Sequence, residues 1–112
     1  MHELALSRSI KNIVTKAAGG RKVVEIWLDV GSLRQVIPQT LTHCWAIVAQ
    51  PTELAGSQLR INEIPAAVHC YVCGQDAQVD VFSLYRCPNC DSDRVAVIAG
   101  EEFAITHIEV EA

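Results

Sequence analysis

The sequence predicts an α+β protein: a small mixed α/β domain of two helices and a three-stranded sheet, into which a cysteine-rich module is inserted. Three observations predict it: two apolar repeats at helical spacing, three strand-like stretches placed among and after them, and two Cys-x-x-Cys pairs lying between the second and last of these strands. At 112 residues the chain has the size of one ordinary domain, so any second unit must be small. Half of the residues are hydrophobic and 20% are charged, a globular composition and not a disordered one.

From Leu4 to Ala18, residues Leu6, Ile10, Ile13, Val14 and Ala17 recur at the spacing of one helical face, and Gly19-Gly20 supplies the stop. Across residues 23–30, Val24, Ile26, Leu28 and Val30 alternate with Glu25, Trp27 and Asp29, as a strand with one buried face does. Pro38 suits a first helical turn, and Ile37, Leu41, Trp45 and Val48 keep helical spacing, so residues 38–49 read as a second helix that stops at Gln50-Pro51. Gly56-Ser57 opens a strand over residues 58–64, which Pro65 closes because proline cannot donate to a ladder. Residues 79–85, between the cysteine pairs, are β-prone, and residues 94–99 follow the second pair; both fit ribbon strands. Phe103, Ile105, Ile108 and Val110 make a last strand whose parity changes near Thr106-His107, as a bulge or two-sided burial would require. The expected organisation is an α/β domain over residues 1–65, completed by a C-terminal strand within 100–112, and a separate module over 66–99.

A formal charge of −4 leaves no basic field to hold phosphates or anionic lipid. No run approaches the roughly 18 apolar residues of a membrane helix. The first residues lack the pattern of a secretory signal, so a reducing cytoplasm is expected.

In that compartment, four cysteines in two Cys-x-x-Cys pairs suggest metal before disulfide. Cys70-Tyr71-Val72-Cys73 and Cys87-Pro88-Asn89-Cys90 each make a tight turn that aims two thiolates at one point while backbone N–H groups face the sulfurs. Two such knuckles complete a tetrahedral four-sulfur site, a geometry Zn(II) accepts and one with no open position for substrate. Reduced unliganded pairs and redox-active pairs are the alternatives, but a thioredoxin-type motif needs a single pair at the start of a helix. A module this small falls below the size that folds unaided, so zinc is expected to be part of its fold. Asp76, Asp80, Asp91 and Asp93 against Arg86 and Arg94 disfavour nucleic acid there.

His2 is the second candidate ligand. At that position the α-amine of Met1, an amide nitrogen and the imidazole can meet one ion in fused chelate rings, a planar set that suits Ni(II) or Cu(II). In an arbitrary sequence a histidine there is more often a residue of a frayed terminus with no role.

Met1-His2-Glu3-Leu4 running into an amphipathic helix, then Gly31-Ser32-Leu33-Arg34-Gln35-Val36-Ile37-Pro38, the paired cysteines, Gly100-Glu101-Glu102-Phe103 and Ile108-Glu109-Val110 resemble the HypA/HybF family of hydrogenase nickel-incorporation proteins, in order along the whole chain. The resemblance implies a cytoplasmic nickel metallochaperone. It also implies that His2 holds nickel with the Met1 amine and Glu3 beside it, while Cys70, Cys73, Cys87 and Cys90 hold structural zinc. The partners it implies are the maturation GTPase HypB, the large subunit of nickel-iron hydrogenase and, in some members, urease maturation factors. Gln39 and His43-Cys44 depart from the family pattern in the second helix.

The remaining candidates carry less. Cys44 reads as a core residue, His69 as a neighbour of the zinc site, and His107 as a packing or surface residue, although His43, His69 or His107 could each supply a further nickel ligand. Glu101, Glu102, Glu109 and Glu111 read as a solvated acidic face. No catalytic triad, phosphate loop or carboxylate pair points to an enzyme. A zinc-ribbon adaptor that binds protein without carrying metal is the competing reading.

Overall fold

A computed structural model describes residues 3–112; the expected nickel ligands Met1 and His2 lie outside the described residues. The elements, in order, are α1 (Glu3–Ala18), β1 (Val23–Gly31), a 3-10 turn (Ser32–Arg34), α2 (Pro38–Ala49), β2 (Gln58–Ile64), β3 (Ala67–Cys70), β4 (Asp76–Gln78), β5 (Val95–Ala99) and β6 (Phe103–Val110). The strands form two three-stranded sheets, ordered β2-β1-β6 and β4-β3-β5. One compact unit holds residues up to Asp29 with Val36–Asn62 and Ala104–Ala112; the other holds Val30–Gln35 with Glu63–Phe103. The α+β class, the two helices and the three-stranded sheet are those the sequence predicts.

In the first unit, α1 packs on α2. Its buried face is Ser7, Ile10, Val14 and Ala18, so the expected stripe is rotated: Ile10 and Val14 are inside, whereas Ile13 is 55% exposed. Ser7, Ala18 and Ala49 are small side chains on these buried faces. The Gly19 and Gly20 backbones, with φ of 57° and 87°, end α1 in the left-handed region that a side chain would resist. Pro38 stands in the first turn of α2, whose buried residues are Leu41, Trp45 and Ala49. Trp45 settles its indole N–H by donating to Ser57 Oγ at 3.1 Å, and the Ser57 hydroxyl donates to the Leu54 carbonyl at 2.6 Å.

Ile26, Leu28 and Val30 of β1 are buried as alternation requires, but at the strand's start Val23 is inside and Val24 is exposed. The pairs Glu25–Arg60 and Asp29–Asn62 advance together along β1 and β2, so these strands run parallel, joined through α2. The links Lys22–Glu111 and Trp27–Thr106 advance in opposite senses, so β6 runs antiparallel to β1. The parity change in β6 is a phase slip. Phe103 and Ile105, then Ile108 and Val110, are half-buried, with the two exposed residues Thr106 and His107 between them. There the Thr106 hydroxyl donates to the Trp27 carbonyl at 3.3 Å and the His107 ring stacks on Trp27, with centroids 5.1 Å apart.

In the second unit, β3 is central and pairs antiparallel with β4 and β5, Val68 facing Ala77 and Val97. Residues 79–85 are not the strand their composition suggested. Asp80 closes a turn instead, its carboxylate accepting the Phe82 N–H at 2.9 Å and its carbonyl the Ser83 N–H at 3.1 Å. Local side-chain bonding outcompetes β propensity. The main chain crosses itself closely at Gly31 and Gly100: Gly31 N–H donates to the Glu102 carbonyl at 2.7 Å and Leu33 N–H to the Gly100 carbonyl at 2.8 Å. A Cβ on Gly31 would stand 2.0 Å from the Gly100 oxygen, so only glycine fits.

Candidate metal centre

Two turns of the second unit carry the four cysteines, and they are built alike. In the first, Gly74 N–H donates to the Cys70 carbonyl at 3.0 Å and Cys70 N–H to the Gln75 carbonyl at 3.0 Å; in the second, Asp91 N–H to Cys87 and Cys87 N–H to Ser92 repeat the pattern at 2.8 Å each. The residue after each pair, Gly74 or Asp91, takes a left-handed backbone with φ of 77° or 60°. Gly and Asp enter that region at the lowest cost, so the sequence after each Cys-x-x-Cys permits the turn. Asn89 Nδ2 donates to Gln75 Oε1 at 2.6 Å and ties one knuckle to the other.

These turns bring all four Sγ atoms within 4.8 Å of one another. Cys70 and Cys90 are 3.6 Å apart, and Cys73 and Cys87 are 3.7 Å apart. That is far beyond the roughly 2.05 Å of a disulfide. A tetrahedron of thiolates around an ion at a bond length of about 2.3 Å has edges of about 3.8 Å. The sulfur spacing therefore fits a four-coordinate, zinc-compatible site. Cys70 and Cys87 are buried and Cys73 and Cys90 exposed, so the site has an inner and an outer pair.

The electrostatics favour a cation. The Cys73 N–H approaches Cys70 Sγ at 3.4 Å and lowers that thiol to about 6 against the opposing effect of burial, with help from the Val72 N–H, also at 3.4 Å. Cys90 goes the other way: the Ser92 N–H draws it down, but burial and the sulfurs of Cys70, Cys87 and Cys73 outweigh this and push it up to about 12. Cys73 is likewise raised, since burial and its sulfur neighbours outweigh the Gln75 N–H. Four thiolates cannot share this space without a positive charge among them, and an entering divalent ion displaces the protons that Cys73 and Cys90 hold.

The other candidates do not join this site. Among the described residues, no other group of three or more His, Cys, Asp or Glu side chains is placed to hold an ion. His69, beside Cys70, has its Nδ1 2.6 Å from Asp76 Oδ1; His43 is exposed, Cys44 is half-buried, and His107 lies on Trp27. Glu3 opens α1, where a carboxylate complements the helix dipole. The Val72 and Cys73 N–H groups at Cys70 Sγ are the backbone donors that a tight Cys-x-x-Cys turn is expected to aim at its sulfurs.

The sequence profile of the HypA family, described as hydrogenase/urease nickel incorporation, metallochaperone, matches residues 1–110. The hydrogenase maturation factor HypA of Geobacter metallireducens is 33% identical, over 99% of this chain and 100% of that protein. The protein of the same name from Trichormus variabilis is 38% identical, over 99% and 96%. The solution structure of the Ni metallochaperone HypA from Helicobacter pylori superposes with a TM-score of 0.69 at 16% identity, over 100% of this chain and 99% of that one, a likeness that bears on the fold.

Proposed function

The chain belongs to the HypA family of hydrogenase and urease nickel-incorporation metallochaperones, and on that premise we propose that it carries Ni(II) for the maturation of nickel-iron hydrogenase. A member of such a family works by handover and not by turnover, so the chain is not an enzyme. Nickel is its cargo. The reading assigns nickel to the His2 imidazole and amide with the Met1 amine, and places Glu3 beside them. These nitrogens, adjacent along the chain, make fused chelate rings and suit the planar preference of Ni(II), leaving an edge open for transfer. The observation that carries this reading is the family match, which begins at residue 1 and so includes the Met1-His2-Glu3 segment.

Zn(II) fills the four-thiolate site in this reading. Its support is the donor set and the sulfur spacing of 3.6 and 3.7 Å. An all-thiolate tetrahedron has no free position, so zinc holds the second unit together and takes no part in transfer. HypB and the hydrogenase large subunit are the partners, with urease maturation factors where urease is served, and the work is cytoplasmic. No helix among the described residues is long and apolar enough to cross a membrane.

A calorimetric Ni(II) titration of zinc-loaded wild type and His2→Ala tests the reading. Wild type takes up nickel beyond its zinc and His2→Ala loses that uptake with zinc content unchanged. Equal nickel binding by both would remove His2 from the site, and no nickel binding by either would leave the zinc-ribbon adaptor.

A further inference from the structure

We propose that the loop before the second knuckle is a docking surface for a cationic segment of a partner protein that carries an apolar anchor. This surface is independent of the nickel reading. Phe82 is 94% exposed and Tyr85 80% exposed, and with Pro88 they line a groove of about 510 Å³ beside Cys87. Both Asp80 bonds described above close the turn on itself, so Phe82 stands on a hydrogen-bonded loop. A covered aromatic ring removes about 150–250 Å² from water, so the two rings offer roughly 300–500 Å², the size of the largest patch on an ordinary monomer. A stable complex needs about 800 Å² from each partner. The surface therefore anchors a short-lived contact.

Charge chooses the occupant. Arg86 is already engaged: it donates to the Asp91 carbonyl at 3.0 Å and lies 3.6 Å from the Asp91 carboxylate. Arg86 and Asp91 are the charged residues that line the groove, and they offset each other; of the charges beside it in sequence, Asp80 and Asp93 outnumber Arg94 by one. This sign repels nucleic acid and anionic lipid and attracts lysine or arginine, which also stack well on exposed aromatic faces. A second copy is the poorer fit, since two chains at −4 repel each other.

The test uses the zinc-loaded full chain, isotope-labelled for NMR, and three synthetic helical peptides: Lys/Leu amphipathic, Lys/Ser and Glu/Leu. The Lys/Leu peptide should shift amide signals of residues 80–91, with an affinity that falls as salt rises, while the other two bind at least tenfold more weakly. Phe82→Ser should weaken Lys/Leu binding roughly tenfold with zinc content unchanged, and Asp93→Asn should flatten the salt dependence. Equal binding of the Lys/Ser peptide, shifts centred elsewhere, or an unchanged Phe82→Ser affinity would each overturn the proposal. Self-association of the free protein that disappears in Phe82→Ser would overturn it too, by assigning the surface to a second copy.

Discussion

Gly31→Ala separates two ways in which a glycine can be required. The Gly31 backbone, with φ of −73°, is one that alanine adopts freely, so conformational strain contributes nothing. Space decides. The added Cβ would stand 2.0 Å from the Gly100 oxygen, 2.1 Å from its carbonyl carbon and 2.7 Å from the Glu101 nitrogen, all backbone atoms with no flexible end to swing aside. Restoring ordinary contact at about 3.5 Å parts the crossing chains by more than an ångström, and that breaks or stretches the 2.7 and 2.8 Å hydrogen bonds of Gly31 and Leu33. Overpacking costs about 1–3 kcal/mol and each lost bond about 1 kcal/mol. Reduced entropy of the unfolded chain returns about 0.4–1 kcal/mol. The net loss is roughly 2–4 kcal/mol, which should lower Tm by at least about 8 °C. Gly56→Ala is the control: its φ of 83° is left-handed but nothing lies within 4 Å of the new Cβ, so only the strain of about 1–2 kcal/mol remains. Melting curves followed by circular dichroism, with zinc measured beforehand, should rank wild type above Gly56→Ala above Gly31→Ala. A Gly31→Ala protein that melts with the wild type would refute the reasoning.

Cys73→Ser should release zinc and broaden the NMR signals of the second unit while those of α1 and α2 persist; retained stoichiometric zinc would sink the four-thiolate assignment. Arg60→Ala should raise the titration midpoint of Glu25, whose carboxyl is held below the usual range first by the Arg60 hydrogen bond, despite partial desolvation. Because the folded value is the lowered one, the pair stabilises above the ordinary carboxylate range and its contribution fades as pH falls through that lowered midpoint. An unchanged Glu25 midpoint would dissolve the pair as an energetic unit. Adding Gly-Ser before Met1 should weaken nickel binding by on the order of tenfold to a hundredfold, because an amide replaces the chelating amine; equal titrations of the two proteins at one pH would mean that side chains alone hold nickel.

What could be read from the sequence was whatever a local rule governs. The helix from Pro38 to Ala49 has a proline where an N–H is dispensable and apolar residues at helical spacing, and it forms over that span. The two knuckles follow from cysteine spacing and from Gly74 and Asp91 after them. The errors lie where a neighbour decides. Which stripe of α1 faces inward depends on the elements packed against it, and there the small residues Ser7 and Ala18 are buried while the larger Ile13 is exposed. Residues 79–85 read as a strand because Val79, Val81, Phe82 and Tyr85 favour one, yet a single carboxylate two residues from an N–H turns the chain.

That misreading concealed that Val81, Phe82 and Tyr85 stay outside the core. Apolar residues in a short segment ordinarily mean burial, and a pattern rule assigns them to a sheet. A unit this small has no room for them. Ala66, Val68, Cys70 and Cys87 supply its most deeply buried side chains, at 2% exposure or less, and an ion held by the thiolates would replace the apolar mass that the unit lacks. With the four cysteines gathered at one point of the unit, Phe82 and Tyr85 stay outside its core, 94% and 80% exposed, and form the surface proposed above for docking.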